Sequence, residues 1–111
     1  MKTFDFNAIE QPRLAVTLKD GTAVHLELPT VGHVELLQRE VPELRKHIAK
    51  QDLSGISRYY GILAELMSCN TEELTFTAEE LERKYRITLS DMIAFYAVYL
   101  QFIDEAKSAK N

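Results

Sequence analysis

The sequence predicts an α+β fold in which a β-hairpin comes first and about four helices follow, the last of them central and strongly apolar. Two observations support this prediction. In the first 28 residues, apolar and polar residues alternate on both sides of an Asp-Gly pair, which is typical of a hairpin. Beyond Pro29 the apolar residues recur at helical spacing. We expect one domain over residues 1–111, with the hairpin region in residues 1–28 and the helical region in residues 30–107.

Composition limits the classes of function. The chain has 111 residues, of which 46% are hydrophobic and 27% are charged, and its formal net charge is −4. This acidic balance argues against a nucleic-acid partner, because proteins that bind nucleic acids usually have a basic patch. A single cysteine excludes an intramolecular disulfide and is typical of a reducing compartment. No apolar run approaches the roughly 18 residues of a membrane span, so we expect a cytoplasmic protein without a membrane partner.

The register of the hairpin follows from the burial of its apolar residues, which hold even-numbered positions in both arms. A two-residue loop would place the two apolar sets on opposite faces. A three-residue loop ending at Gly21 pairs Val16 with Val24 and places both sets on one face, so we predict this loop, with Gly21 at positive φ in a G1-type bulge. Alternation around Phe4 and Phe6 predicts another short strand, so the sheet has two or three strands. The outward-facing residues are then Ala15, Thr17, His25 and Glu27.

The first two helices follow the hairpin directly. Thr30 is the predicted N-cap of the first helix. Pro42 lies inside its apolar stripe, so we expect either a kink or two short helices. The second helix is predicted over residues 54–68, with Asn70 as a left-handed stop.

Two capping boxes predict the remaining helices. Thr77 with Glu80 begins a short helix over residues 78–85. Thr88 with Asp91 repeats the pattern and begins the last helix, which runs to about Ala106.

The last helix has more apolar surface than one core face requires. One apolar set covers an arc of roughly 120°, and Phe95, Val98 and Phe102 widen it to roughly 220°. Two interpretations stay open: either the hairpin covers the side with Phe95 and Phe102, or another protein chain covers part of the arc. The first set comprises Leu89, Met92, Ile93, Tyr96, Tyr99, Leu100 and Ile103.

No pattern in the sequence predicts a catalytic, cofactor or metal site, so we expect a protein that is not an enzyme and that needs no cofactor or metal. We interpret the three histidines as solvated, Cys69 as a small buried residue, and the Tyr59–Tyr60 pair as part of the core. The acidic cluster is interpreted as a solvated face with capping and helix-dipole roles. It comprises Glu72, Glu73, Glu79, Glu80 and Glu82, and the histidines are His25, His33 and His47.

Four segments together resemble a known family over nearly the full chain: KTFDFN, LAVTLKDGTAVHLELP, VGHVELLQREVPEL and RITLSDMIAFYAVYLQFIDEAKSAK. They resemble small prophage-encoded proteins, the tail assembly chaperones of long-tailed phages. The resemblance implies a non-enzymatic protein in the cytoplasm of the bacterial host. Such a protein coats the tape measure protein before the tail tube polymerises around it, and it often self-associates. The family has no motif that fixes a functional residue.

A chaperone for an amphipathic client needs an apolar surface that is not fully buried. Our candidates for protein binding are Phe95, Val98 and Phe102, with Tyr99 at the edge. The expected partners are the tape measure protein and, in a homo-oligomer, further copies of this chain. Two alternatives are another phage structural accessory, such as a tail completion protein, and a small protein-binding adaptor domain.

Overall fold

The computed structural model describes residues 2–108, and it has the predicted α+β fold with the hairpin first. A 3₁₀ turn and a π-helical turn accompany the strands and the longer helices. None of the helices within residues 2–108 is both long and apolar enough to cross a membrane. The elements in order are the 3₁₀ turn Phe6–Ala8, β1 (Leu14–Thr17), β2 (Ala23–Leu26), α1 (Val31–Ala49), α2 (Ser57–Met67), the π turn Glu80–Lys84 and α3 (Leu89–Ser108).

The hairpin has the predicted register and loop. Val16 lies opposite Val24 in the antiparallel pair. The Leu18 N–H donates to the Thr22 carbonyl at 2.8 Å, and the Gly21 N–H donates to the Leu18 carbonyl at 2.9 Å. Gly21 has a φ of 91°, which favours glycine because a side chain is strained there. The predicted outward residues are all exposed: Ala15, Thr17, His25 and Glu27.

The prediction of a short strand around Phe4 and Phe6 is wrong, because residues 6–8 form a 3₁₀ turn. The Asp5 carboxylate accepts a hydrogen bond from the Asn7 N–H at 2.9 Å. Such local bonds to the backbone compete with strand formation, and this segment pairs with no strand of its own chain within residues 2–108.

Pro42 does not divide the first helix, so the prediction of two short helices is wrong. Its side of the helix is exposed, and buried residues precede and follow it. Keeping the helix continuous therefore keeps one apolar stripe in the core, which offsets the hydrogen bond that proline cannot make. The buried residues of α1 are Leu37, Val41 and Leu44.

Three of the four predicted helix N-termini are confirmed, whereas α2 begins at Ser57 and not at the predicted residue 54. The Thr30 hydroxyl accepts a hydrogen bond from a backbone N–H of the first turn of α1 at 3.2 Å. In the first capping box, the Thr77 N–H donates to Glu80 and the Glu80 N–H donates to Thr77, both at 3.1 Å. In the second, the Thr88 N–H donates to Asp91 at 2.8 Å and the Asp91 N–H donates back at 3.1 Å.

The region between α2 and α3 differs from the prediction in two ways. Asn70 does not have positive φ; among the non-glycine residues within 2–108, Gln51, Glu73 and Arg86 do. The short helix is a π turn, closed by a 2.9 Å hydrogen bond from the Tyr85 N–H to the carbonyl five residues earlier.

The core joins the hairpin to all three helices. Helix α3 has a buried face but also an exposed one, on which the Val98 side chain is 51% exposed. The prediction that α3 is central is therefore not confirmed. The largest fully buried side chains are Val24, Leu26, Leu37, Leu44, Tyr59, Leu66, Leu81, Met92, Tyr96 and Tyr99.

Candidate protein-binding groove

An apolar groove lies between β1 and the N-terminal half of α3. Its volume is about 370 Å³. Its floor includes Leu81, which is fully buried. Its apolar lining comes from β1 and the turn after it, from α2, from the region of the π turn and from α3: Leu14, Ala15, Val16, Leu18, Leu63, Met67, Leu81, Ile87, Ala94, Phe95 and Val98.

The periodicities of the two elements explain why the groove is apolar. The hairpin register directs the even-numbered side chains of β1 to the core face. One stripe of α3 faces the hairpin, because its residues are spaced three or four positions apart and so lie on one side of the helix. The stripe comprises Asp91, Ala94, Phe95 and Val98. Because the Ala94 side chain ends at Cβ, it leaves space between helix and strand that a larger side chain would fill.

An ion pair lies at one end of the groove. The Lys19 ammonium contacts the Asp91 carboxylate at 2.6 Å and donates a second hydrogen bond to the Arg86 carbonyl at 2.7 Å. The hydrogen bond from Lys19, with those from the N–H and hydroxyl of Thr88, lowers the pKa of Asp91 to about 2. The same carboxylate therefore caps α3 and attaches the hairpin turn to it.

The predicted protein-binding residues fall into two groups. Phe95 is half-buried and Val98 is half-exposed, and both line the groove. Tyr99 and Phe102 are 0% and 8% exposed, so the expectation that they belong to an accessible surface is wrong. The Phe95 ring stacks on the Tyr99 ring at a centroid distance of 5.4 Å, which places Tyr99 in the core beneath the groove wall. Protein binding by Phe95 and Val98 stays a prediction.

The Tyr99 hydroxyl has no hydrogen-bond partner among residues 2–108, although it is buried. Two other buried tyrosines do have partners: the Tyr60 hydroxyl donates to the Ile87 carbonyl at 2.6 Å, and the Tyr96 hydroxyl donates to the Tyr59 carbonyl at 3.1 Å. Burial raises the pKa of Tyr99. Its side chain therefore contributes packing to the core without the usual hydrogen bond.

The histidines and the acidic cluster lie outside the groove lining. The carboxylate of Glu72 accepts a 2.8 Å hydrogen bond from the His25 N–H and lies 2.6 Å from His25 Nδ1. The bond from that backbone N–H is the main reason why the pKa of Glu72 is lowered. No three histidine, cysteine or carboxylate side chains in residues 2–108 lie close enough together to hold a metal ion.

The structural role of Asn70, which is buried after α2, was not predicted from the sequence. Its side-chain oxygen accepts hydrogen bonds from the N–H groups of Glu72 and Leu74 at 3.1 and 3.0 Å. Its side-chain nitrogen donates to the carbonyls of Met67 and Leu74 at 2.7 and 2.8 Å. All the hydrogen-bonding capacity of this amide is used to hold one loop. The preference of asparagine for turns was visible in the sequence, but the loop that it fixes was not.

This loop covers one edge of the sheet and leaves the other open. The Glu27 N–H donates to the Cys69 carbonyl at 2.9 Å, and the Thr71 N–H donates to the His25 carbonyl at 3.0 Å, so the outer edge of β2 is covered. The half-buried Cys69 acts here through its backbone.

The outer edge of β1 has no such cover within residues 2–108. Since the Leu18 N–H points to the Thr22 carbonyl, alternation along an antiparallel pair directs the backbone groups of Ala15 and Thr17 away from β2. These groups have no backbone partner among the described residues. The groove therefore runs beside an open strand edge.

Comparisons of the chain with models of protein families, with curated proteins and with solved structures gave no match. The geometry of the groove and the resemblance of the sequence are thus the basis for a functional proposal.

Proposed function

We propose that this protein is a phage tail assembly chaperone, which holds apolar side chains of the tape measure protein in the groove between β1 and α3. It acts in the cytoplasm of the bacterial host, before the tail tube polymerises. The groove is the observation that supports the proposal most directly. The resemblance of the chain to tail assembly chaperones is the second support.

The size of the groove suits a transient client. A volume of about 370 Å³ accepts a few side chains rather than a whole helix. An amphipathic helix presents such side chains at spacings of three and four residues. Small interfaces are typical of transient complexes, and a chaperone must release its client when the tube forms.

The composition also suits such a role. A net charge of −4 disfavours nonspecific association between chaperone molecules. Half-exposed Val98 and half-buried Phe95 offer apolar contact without a large exposed patch. An apolar client can therefore be kept dispersed by a protein that is itself resistant to aggregation.

Co-expression with the tape measure protein of the same prophage tests the proposal. We expect the wild-type chain to co-purify with the client and to keep it in the soluble fraction. Val98→Lys should abolish both effects because it places a charge in the groove. Ala97→Lys is the matched control, since Ala97 is an exposed neighbour that does not line the groove. Equal client recovery with both variants would show that the groove is not the binding site.

The finished particle distinguishes the chaperone from a structural accessory. Mass spectrometry of purified virions should detect no copies of this chain if it acts only during assembly. Stoichiometric copies in the particle would instead support a tail completion protein.

A further inference from the structure

The N-terminal arm, residues 2–12, exposes two large aromatic side chains. Phe4 is 67% exposed and Phe6 is 80% exposed, and their rings contact each other edge to face at 4.8 Å. The arm's own hydrogen bonds are local, from the N–H of Ala8 to the Asp5 carbonyl and from the N–H of Ile9 to the Phe6 carbonyl. Two exposed phenylalanines side by side indicate a surface that a partner covers.

The sequence of the arm matches the open edge of β1. In an extended arm, Phe4, Phe6 and Ala8 would lie on one face, because side chains alternate along a strand. The even-numbered side chains of β1, such as Val16, face the groove. A strand added to this edge with even positions opposite even positions would therefore place both phenylalanines in the groove.

Pro12 is compatible with a strand that continues from the arm into β1. Even-numbered residues of β1 direct their N–H groups to the β2 side, as Leu18 does. An N–H at position 12 would point to the β2 side as well. Its absence in proline therefore removes no hydrogen bond from the outer edge of β1, where the second copy would pair. The outward N–H groups come from odd-numbered residues, among them Arg13 and Ala15.

An arm cannot easily reach the β1 edge of its own chain. It would have to reverse direction between Ala8 and Arg13, but proline restricts the preceding Gln11 to extended conformations. Ile9 is also extended, with φ −83° and ψ 119°. A strand continuous from the arm into β1 can instead pair antiparallel with the same strand of a second copy.

We infer that two copies of this chain form a dimer by exchanging arms, each arm adding a strand to the open β1 edge of the other copy and placing Phe4 and Phe6 in its groove. A twofold axis relates the copies, so both grooves are filled in the same way. The 3₁₀ turn of the arm opens on dimerisation, and its two local backbone hydrogen bonds are replaced by bonds to the strand edge.

Charge selects the register of this pairing. The register with Phe6 opposite Leu14 would place Glu10 opposite Glu10 of the other copy, and like charges directly opposite are destabilising. A shift that puts Phe6 opposite Val16 avoids this contact. It places Gln11 on the axis, and it extends the pairing along the whole groove.

In this register two further pairs are favourable. Phe4 lies opposite Leu18, which is buried and directly follows β1. Lys2 comes beside Asp20 of the hairpin turn, which gives an attractive charge pair. Asn7 lies opposite Ala15 on the outward face, where a cross-link can report the pairing.

Light scattering after size-exclusion chromatography of the full chain, over a range of concentrations, is the first test. We expect a dimer, and Phe4→Ser with Phe6→Ser should weaken dimerisation by at least about a hundredfold, because each of the two arms loses two large apolar side chains from a buried site. Val31→Ser with Leu53→Ser is the matched control, since both side chains are exposed apolar ones outside the arm. A wild-type chain that is monomeric up to about 1 mM, or an arm variant that dimerises like the control, would overturn the inference.

Cysteine cross-linking distinguishes a second copy from the chain's own arm. In a Cys69→Ala background, Asn7→Cys with Ala15→Cys should give a disulfide-linked dimer on mild oxidation. Hydrogen-bonded antiparallel neighbours have Cα atoms about 5.5 Å apart, which is within the range for disulfides. A disulfide within a monomer, or no disulfide at all, would overturn the arm exchange. Asn7→Cys with Glu27→Cys is the control. Glu27 directly follows β2 on the sheet edge that the Cys69 loop covers, so it should not cross-link.

The inference goes beyond the proposed chaperone function and does not depend on it. Loss of dimerisation in the arm variant reports on arm exchange, while client recovery in the same variant reports on the groove. The arm of the second copy and the client would occupy the same groove, so they compete for it. A variant without Phe4 and Phe6 keeps its groove and loses the competing arm, so it should bind the client at least as well as the wild-type chain. Either proposal can therefore fail while the other stands.

Discussion

Lys19 and Asp91 are separated by 72 positions in the sequence, yet their side chains contact each other at 2.6 Å. Lys19 belongs to the hairpin loop, and Asp91 completes the N-terminal capping box of α3. The contact thus attaches the turn of the hairpin to the start of the last helix, and it holds one end of the groove in place. Both side chains are more than one third exposed, which limits the energy that the pair contributes.

This pair predicts a specific dependence of stability on pH. In the folded chain the pKa of Asp91 falls from 3.8 to about 2. A carboxyl group whose pKa is lower in the folded state stabilises the fold above its unfolded pKa, and this contribution disappears as the pH falls from about 4 to about 2. We expect Asp91→Asn to lower the free energy of unfolding by up to about 1 kcal/mol at pH 7 and to have little effect near pH 2. Urea unfolding at both pH values measures the difference, and Asp104→Asn, at an exposed position near the end of α3, is the control.

The buried tyrosines predict opposite effects of the same substitution. Tyr99→Phe removes a hydroxyl that has no partner among residues 2–108, so the free energy of unfolding should stay unchanged or rise by up to about 1 kcal/mol. Tyr96→Phe removes a hydroxyl that donates to the Tyr59 carbonyl, so the free energy of unfolding should fall by about 1 kcal/mol. Urea unfolding of both variants and of the wild-type chain measures the two changes in free energy, provided that the dependence of that free energy on urea concentration is the same for all three. A larger loss for Tyr99→Phe than for Tyr96→Phe would show that the Tyr99 hydroxyl has a partner.

The Asn70 amide predicts a large effect from one polar residue. Asn70→Ala leaves two N–H groups and two carbonyls of the loop without side-chain partners, so the free energy of unfolding should fall by about 3 kcal/mol. Asn7→Ala, at an exposed position, should change it by less than about 0.5 kcal/mol.

Hydrogen exchange then shows where the Asn70 variant is altered. The Glu27 and Thr71 amides should lose protection first, since they join β2 to the loop that Asn70 holds. Retained protection at both amides would mean that the loop holds its position without the Asn70 side chain.

Local chemistry made much of the fold predictable. The positions of Val16 and Val24 fix the hairpin register, because a shift by one residue would expose one of the two apolar sets. The capping boxes at Thr77 and Thr88 involve residues only three positions apart, so both were visible in the sequence. In each case the interacting groups are close along the chain.

Contacts between distant segments explain what sequence analysis missed. The apolar arc of α3 could not show that Tyr99 is buried while Val98 is half-exposed, since this depends on how far the hairpin reaches across the helix. The pairing of Lys19 with Asp91 depends on the same arrangement. Phe4 and Phe6 alternate like a strand, but a strand needs a neighbour, and the chain supplies none for them within residues 2–108.

Within residues 2–108 the sheet has one covered edge, at β2, and one open edge, at β1, so it can pair with one further strand. Once a strand pairs with β1, the other edge of this sheet stays closed, because the loop held by Asn70 covers the outer edge of β2. This sheet can therefore accept one strand, whereas a sheet with two open edges could accept a strand on each side. Such a sheet can pair with one strand and still not start a fibre of its own.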